Sequence, residues 1–228
     1  MEINVIHKIL QKNDNAAREN RDLLAARGVF MFNLLGGAGS GKTSLLEAVL
    51  PRLHGRVRVG VIEGDLATTR DAQRIAVLGV PVVQVLTDGG CHLSATLVQE
   101  ALRRLPLDRL DGVIIENVGN PICPANFDLG EHIRLSLLSV TEGDDKPSKY
   151  PLLFKDAALI ALTKCDLLPH VPFDPMAAIA DLRRVNNTAE IVKTDIRGGT
   201  GMDRLADWMA EHVLGEAAVI SQVQTSMK

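Results

Sequence analysis

The chain has 228 residues, enough for one α/β domain with a buried core. Hydrophobic residues make up 46% and charged residues 23%, a water-soluble globular balance, and a net charge of -3 offers no basic footprint for nucleic acid or an anionic membrane. No apolar run approaches bilayer length, the polar start reads against a secretory leader, and three scattered cysteines fit reduced thiols, so a cytoplasmic setting is expected.

Residues 3 to 27 carry the stripe of an amphipathic helix, with Ile3, Ile6, Ile9 and Leu10 resumed by Leu23 and Leu24. Asn13-Asp14-Asn15 marks a place where that helix breaks or is capped afresh. This N-terminal helical arm (1–28) is expected to cover one face of a sheet. Val29 to Leu35 is an apolar strand, and helical spacing resumes from Ser44 to Leu50 before Pro51 to Arg56 turns the chain. Further strands are expected at Val57 to Ile62, Val80 to Leu86, Asp111 to Val118, Leu135 to Thr141, Asp156 to Thr163 and Glu190 to Thr194. Between them lie helices at Asp71 to Leu78, Leu93 to Leu105 and Pro172 to Val185, the last with Asp174 as cap. Glu142 to Tyr150 is highly charged and reads as an exposed loop. A last helix spans Met202 to Val213, and the tail (215–228) has weak periodicity and is expected to fray. Strands alternating with helices predict a three-layer α/β fold of the P-loop NTPase type over 29–214. Its mostly parallel sheet has about seven strands, flanked by helices.

Between the first strand and its helix stands Gly36-Gly37-Ala38-Gly39-Ser40-Gly41-Lys42-Thr43, which fits the phosphate-loop pattern G-x-x-x-x-G-K-S/T. The small residues Gly37, Ala38, Gly39, Ser40 and Gly41, with Ser44 after them, let backbone N–H groups face a polyphosphate at a helix N-terminus. Lys42 is expected on the β- and γ-phosphates and the Thr43 hydroxyl on Mg²⁺. Asp65 ends the second strand, where a carboxylate holds magnesium or orients water, unless it merely caps a solvated turn. Glu116 ends the fourth, where a carboxylate reaches the Mg²⁺ shell. The sixth strand closes in Thr163-Lys164-Cys165-Asp166, placed like the N-K-x-D of guanine-specific GTPases. Asp166 can accept from guanine N1–H and its amine together, with the stem of Lys164 over the base, so GTP and GDP are the expected ligands. Thr163 replaces the usual Asn, and its hydroxyl is expected to bond across to the phosphate loop, at a loss of about 1 kcal/mol. The loop that supports the base from the other side would be Asp195-Ile196-Arg197, a poor match to the usual S-A-K.

The chain resembles the accessory GTPases that assist nickel insertion into nickel–iron hydrogenase. The resemblance rests on Asn13 to Arg21, the phosphate loop, Ile62-Glu63-Gly64-Asp65, Gly90-Cys91-His92-Leu93 and Glu116 to Pro124. Ser139 to Pro147 and Gly201-Met202-Asp203 complete it. It implies a slow, Mg-dependent GTPase that forms a homodimer when GTP-bound. It also implies work with another hydrogenase accessory protein and with the hydrogenase large-subunit precursor. By the same resemblance Cys91, His92 and Cys123 bind nickel or zinc at the subunit boundary, and Gly119 senses the γ-phosphate. Both cysteines follow the carboxyl ends of strands, and three such ligands do not close a four-coordinate site without a second copy. The residues by themselves leave open that Cys91 and Cys123 are buried thiols and His92 a helix cap. The first 90 residues hold no cysteine and only His7 and His54, so a separate N-terminal nickel site is not expected. Three alternatives stand beside this reading. A urease-type nickel accessory GTPase carries Cys-Pro-His where this chain has Cys91-His92. A small-molecule kinase needs an arginine lid, which Glu142 to Tyr150 lacks. The third is a metallochaperone that binds nucleotide without useful hydrolysis. No arginine finger is evident in the sequence, in keeping with slow turnover.

Overall fold

The computed structural model describes residues 2–65, 68–87 and 89–226, with side-chain surroundings described within 11–215. Seven parallel strands form one sheet: β1 (Phe30–Leu35), β2 (Val59–Asp65), β3 (Val82–Leu86), β4 (Gly112–Glu116), β5 (Ile133–Ser139), β6 (Ala157–Thr163) and β7 (Glu190–Lys193). Their order is β3-β2-β4-β1-β5-β6-β7, which places β1 and its phosphate loop at the centre. Near-continuous apolar runs suit strands covered on both faces, and alternation along each strand sorts side chains between the two layers. Phe30, Phe32 and Leu34 face α2 (Lys42–Leu53) and α8 (Met202–Ser226), packing with Leu46, Val49, Trp208 and Met209. Met31 and Leu35 point the other way. There α1 (Glu2–Arg27) and α4 (Ala95–Arg104) cover one half, through Leu24, Val98 and Leu102. The other half is covered by α6 (Pro151–Lys155) and α7 (Pro175–Val185), through Leu153, Phe154 and Leu182. The three-layer fold expected from the alternating pattern is the one observed.

Four local expectations are corrected. Helix α1 runs unbroken through Asn13-Asp14-Asn15, because Asn13 commits its amide to tertiary partners. Its Nδ2 donates to Asp128 O (2.8 Å), and its Oδ1 accepts the Ala95 N–H (2.9 Å) at the start of α4. Pro51 lies inside α2 instead of ending it. Its missing N–H falls near the helix end, while Leu50 and Leu53 are buried against the sheet, roughly 2 kcal/mol each. The charged stretch 142–150 contains α5 (Lys146–Lys149), with Pro147 buried, and runs straight into α6. Helix α8 continues to Ser226, past the expected end at Val213. Between β2 and β3 lies the short helix α3 (Arg70–Ala76), which borders the pocket described next.

Candidate nucleotide and metal site

The loop after β1 wraps the N-terminus of α2, and two of its glycines take backbone conformations closed to other residues. Gly39 has φ +74° and Gly41, the cap of α2, φ +97°. Beside this loop lies a cleft of about 400 Å³, walled by residues from the ends of β2, β4 and β6 and from α3. Ala38, Gly39, Gly41, Lys42, Thr43 and Ser44 line it, as do Asp65, Glu116, Gly119 and Lys164. A hollow of about 490 Å³ at the opposite edge of the sheet, around Phe30, His132 and His212, has none of this phosphate-facing backbone.

Lys42 is buried and its Nζ rests on the carbonyls of Gly36 and Gly37, 3.3 Å from each. Burial pulls its pKa below the ordinary lysine value, against the opposing pull of Glu116 and Glu63. The Thr43 hydroxyl donates to Glu116 Oε1 (2.7 Å). Gly119 lies against Ala38, where an added Cβ would come within 2.9 Å of the Ala38 Cα. Asp65 stands on the wall of the cleft, and its Oδ2 accepts the Thr68 hydroxyl (2.6 Å), which ties it to the chain that follows. Lys164 takes a left-handed φ of +59° and lays its Nζ on Gly39 O (2.7 Å). Thr163 does bond across to the phosphate loop, through Oγ1 to Ser40 O (2.7 Å). Asp166 begins beyond β6 in the 3-10 turn Cys165–His170, outside the residues that line the cleft. Asp195 turns inward on its own loop, accepting the N–H groups of Arg197 (2.9 Å) and Gly198 (3.0 Å).

Two residues of this cleft were missed. Glu63 stands opposite Glu116 in the register of β2 and β4, and both carboxyls are buried. Burial and then the neighbouring Glu116 push the Glu63 carboxyl up to about 10, and Glu116 is raised as well, chiefly by burial. Among the described residues, Oε2 of each has no hydrogen-bond partner. The available signal was an ionisable residue in an otherwise apolar strand, two places before its end. The second is Arg74, on the cleft wall, which donates to Ser44 Oγ (3.0 Å), clamps Glu47 (2.6 and 2.9 Å) and reaches Asp71 (2.8 Å).

The thiols lie on the same edge. Cys91 Sγ is 3.6 Å from His92 Nδ1. Hydrogen bonding to the Cys123 thiol, then burial, hold the Cys91 thiol above its ordinary range. The 3.6 Å separation is near the edge of a tetrahedral site with metal–sulfur about 2.3 Å and metal–nitrogen about 2.0 Å. Among the described residues, no three His, Cys, Asp or Glu side chains gather closely enough to hold an ion.

The profile of the CobW/HypB/UreG nucleotide-binding domain matches residues 30–193, from β1 to the end of β7. The chain belongs to this family. Within it, the chain is 48% identical over 201 residues to the hydrogenase maturation factor HypB of Escherichia coli K12, spanning 88% of this chain and 69% of that protein. It is 40% identical to the probable hydrogenase maturation factor HypB of Methanocaldococcus jannaschii, over 92% of this chain and 96% of that one. Two solved structures superpose with a TM-score of 0.84. HypB of Archaeoglobus fulgidus is 35% identical, over 90% of this chain and all of that one. HypB of Helicobacter pylori, solved in complex with nickel, is 32% identical, over 90% and 97%. No helix among the described residues is long and apolar enough to cross a membrane.

Proposed function

We propose that this member of the family is a GTP-hydrolysing metallochaperone for nickel–iron hydrogenase, holding nickel as cargo and releasing it according to the state of its nucleotide. One segment carries the reading. Between residues 116 and 123, Glu116 holds the Thr43 hydroxyl, Gly119 lies against Ala38, and Cys123 adjoins Cys91.

Gly37 to Ser44 cradle the phosphates, and Lys42 leaves the loop carbonyls to bridge the β- and γ-phosphates. Asp166 and Lys164 take the guanine. The unpartnered Oε2 atoms of Glu63 and Glu116, beside the Thr43 hydroxyl, suit a small hard cation that keeps most of its waters. Thr43, Glu116 and Asp65 would hold magnesium there, with Glu63 adjoining. Bound magnesium supplies charge neutralisation on the phosphates. Asp65 orients the water that adds to the γ-phosphorus as the bond to the β–γ bridging oxygen breaks, giving GDP and phosphate. Arg74 is engaged with Glu47, Asp71 and Ser44, which fits slow turnover. Gly119 registers the γ-phosphate, and its loss moves the following loop and with it Cys123. Nickel (zinc competes for the same ligands) binds Cys91, His92 and Cys123, completed by the second copy in a GTP-bound homodimer. The released ion passes to another hydrogenase accessory protein or to the large-subunit precursor.

The test compares nickel content and particle mass with GDP and with a non-hydrolysable GTP analogue. Both are expected to rise with the analogue and nickel to fall in Cys91→Ala. If neither moves, the coupling is wrong.

A further inference from the structure

On the face of the sheet occupied by α1, a chain of buried polar groups starts at the nucleotide cleft and ends under the metal ligands. Asn117, on the cleft wall beside Glu116, donates through Nδ2 to Asn33 Oδ1 (3.1 Å). Asn33, wholly buried in the middle of β1, donates to Glu131 Oε1 (3.2 Å). The same oxygen receives Arg134 Nε (2.6 Å). Arg134 then uses both remaining nitrogens on the loop that follows Cys123: Nη1 donates to Ala125 O and Nη2 to Phe127 O, each at 2.9 Å. Finally the Phe127 ring lies flat on the His92 imidazole, centroids 3.8 Å apart and planes 15° from parallel.

Such a network is costly to bury. An arginine and a glutamate at 15% and 4% side-chain exposure lose most of their hydration, and apolar residues in their place are often at least as stable. A role confined to fixing strand register would not require that its last bonds fall on two carbonyls of the loop that follows Cys123, nor that a flat ring cover His92. Resting on the reading of Cys91, His92 and Cys123 as cargo ligands, we propose that Phe127 and Arg134 are positioning residues for that site. Phe127 sets the plane of the imidazole. Arg134 sets Phe127 and the loop behind Cys123, and its line to Asn117 makes that setting follow the nucleotide cleft.

The experiment titrates nickel into the full chain, as GDP and GTP-analogue forms, and reads the thiolate-to-metal absorption band and the bound metal. Phe127→Leu keeps apolar bulk and loses the flat face. It is expected to weaken nickel binding about two- to tenfold in both forms and to shift the band, while Phe127→Tyr restores both. Arg134→Lys keeps the charge beside Glu131 but not the planar fork that spans two carbonyls. It is expected to bring the affinity ratio between the two nucleotide forms close to one, with nucleotide binding to the nickel-free protein unchanged. Should Arg134→Lys fail to fold, Asn117→Ser cuts the same line at its far end and is expected to bring the same ratio close to one when measured with nucleotide saturating. Wild-type affinity and band in Phe127→Leu, or a wild-type ratio in Arg134→Lys, overturn the inference. Failure of the site reading itself would look different: Cys91→Ala would then bind nickel as well as the wild type.

Discussion

At the carboxyl edge of the sheet, the phosphate cleft keeps Glu63 and Glu116 at 2% and 3% exposure, whereas Cys91, His92 and Cys123 a short distance away are only half-buried. The cleft is supplied from within. Lys42 has its carbonyls, Thr43 its carboxylate and Thr163 the Ser40 carbonyl, so a nucleotide enters a nearly finished frame. The thiol edge has two sulfurs and one imbedded ring, with no closed set of ligands among the described residues of the single chain. The first region frames a pocket for a nucleotide, and in the proposed function the second is completed by another copy of the chain. That contrast gives the proposed link its significance: hydrogen bonds running from Asn117 through Asn33, Glu131 and Arg134 join the wall of the cleft to the loop after Cys123.

The largest expected effect separates the two regions outright. Lys42→Ala removes the cation aimed at the phosphates, and GTP hydrolysis is expected to fall by at least about a hundredfold, measured as phosphate release. Nickel binding by the nucleotide-free protein is expected to stay within about twofold of wild type, since the Lys42 ammonium is spent on the Gly36 and Gly37 carbonyls. A parallel fall in nickel affinity would mean that the two regions are one unit even without nucleotide.

A smaller effect probes the strain stored in the cleft. Glu63 has its carboxyl raised from 4.5 to about 10 by burial and by Glu116. Between those values the unfolded chain gives up this proton while the folded chain keeps it. The contribution to stability is therefore whole at low pH and declines as pH rises, by up to about 1.4 kcal/mol per unit. Denaturant melts of the nucleotide-free protein at about pH 6 and about pH 8 should show the loss, and Glu63→Gln should flatten it. Equal slopes in the two proteins would place the buried proton elsewhere. Among the described residues the thiol edge has no comparable buried carboxyl pair, so Cys91→Ala should leave the slope as it is.

What could be read in the sequence divides along the same boundary. The phosphate loop, the sheet and the Thr163 bond were legible because each depends on neighbours along the chain or on a repeated strand–helix pattern. Glu63 was passed over because Asp65, two residues on, occupies the strand end where a metal-facing carboxylate is sought, and only the register of β2 on β4 reveals the pairing with Glu116. Arg74 was invisible because Glu47 lies on a different helix, 27 residues away. Asn33 offered a signal that went unused: an amide in the centre of an apolar strand must find buried partners, and those partners lead to the loop after Cys123. Helix α6 was also announced locally, by Pro151 at its first position, but five residues are too few to display a helical period, and 151–155 carries no expectation.

The smallest expected effect tests how finished the phosphate cleft is without disturbing its outline. Thr163 is 1% exposed, and its only hydrogen bond from Oγ1 among the described residues goes to Ser40 O, in the middle of the phosphate loop. Thr163→Val keeps the branched shape and deletes the hydroxyl, so the packing of β6 should persist while the Ser40 carbonyl loses one partner. A buried bond of this kind contributes about 1 kcal/mol, which corresponds to about fivefold weaker GDP and GTP binding if the whole of it serves to hold the loop in its nucleotide-ready form. If it serves the fold instead, the same amount should appear as a lower melting temperature with nucleotide affinity unchanged. Measuring both on one variant distinguishes a loop held ready from a strand held in place, and the first outcome is the one expected, because the acceptor lies among the residues that must greet the phosphates.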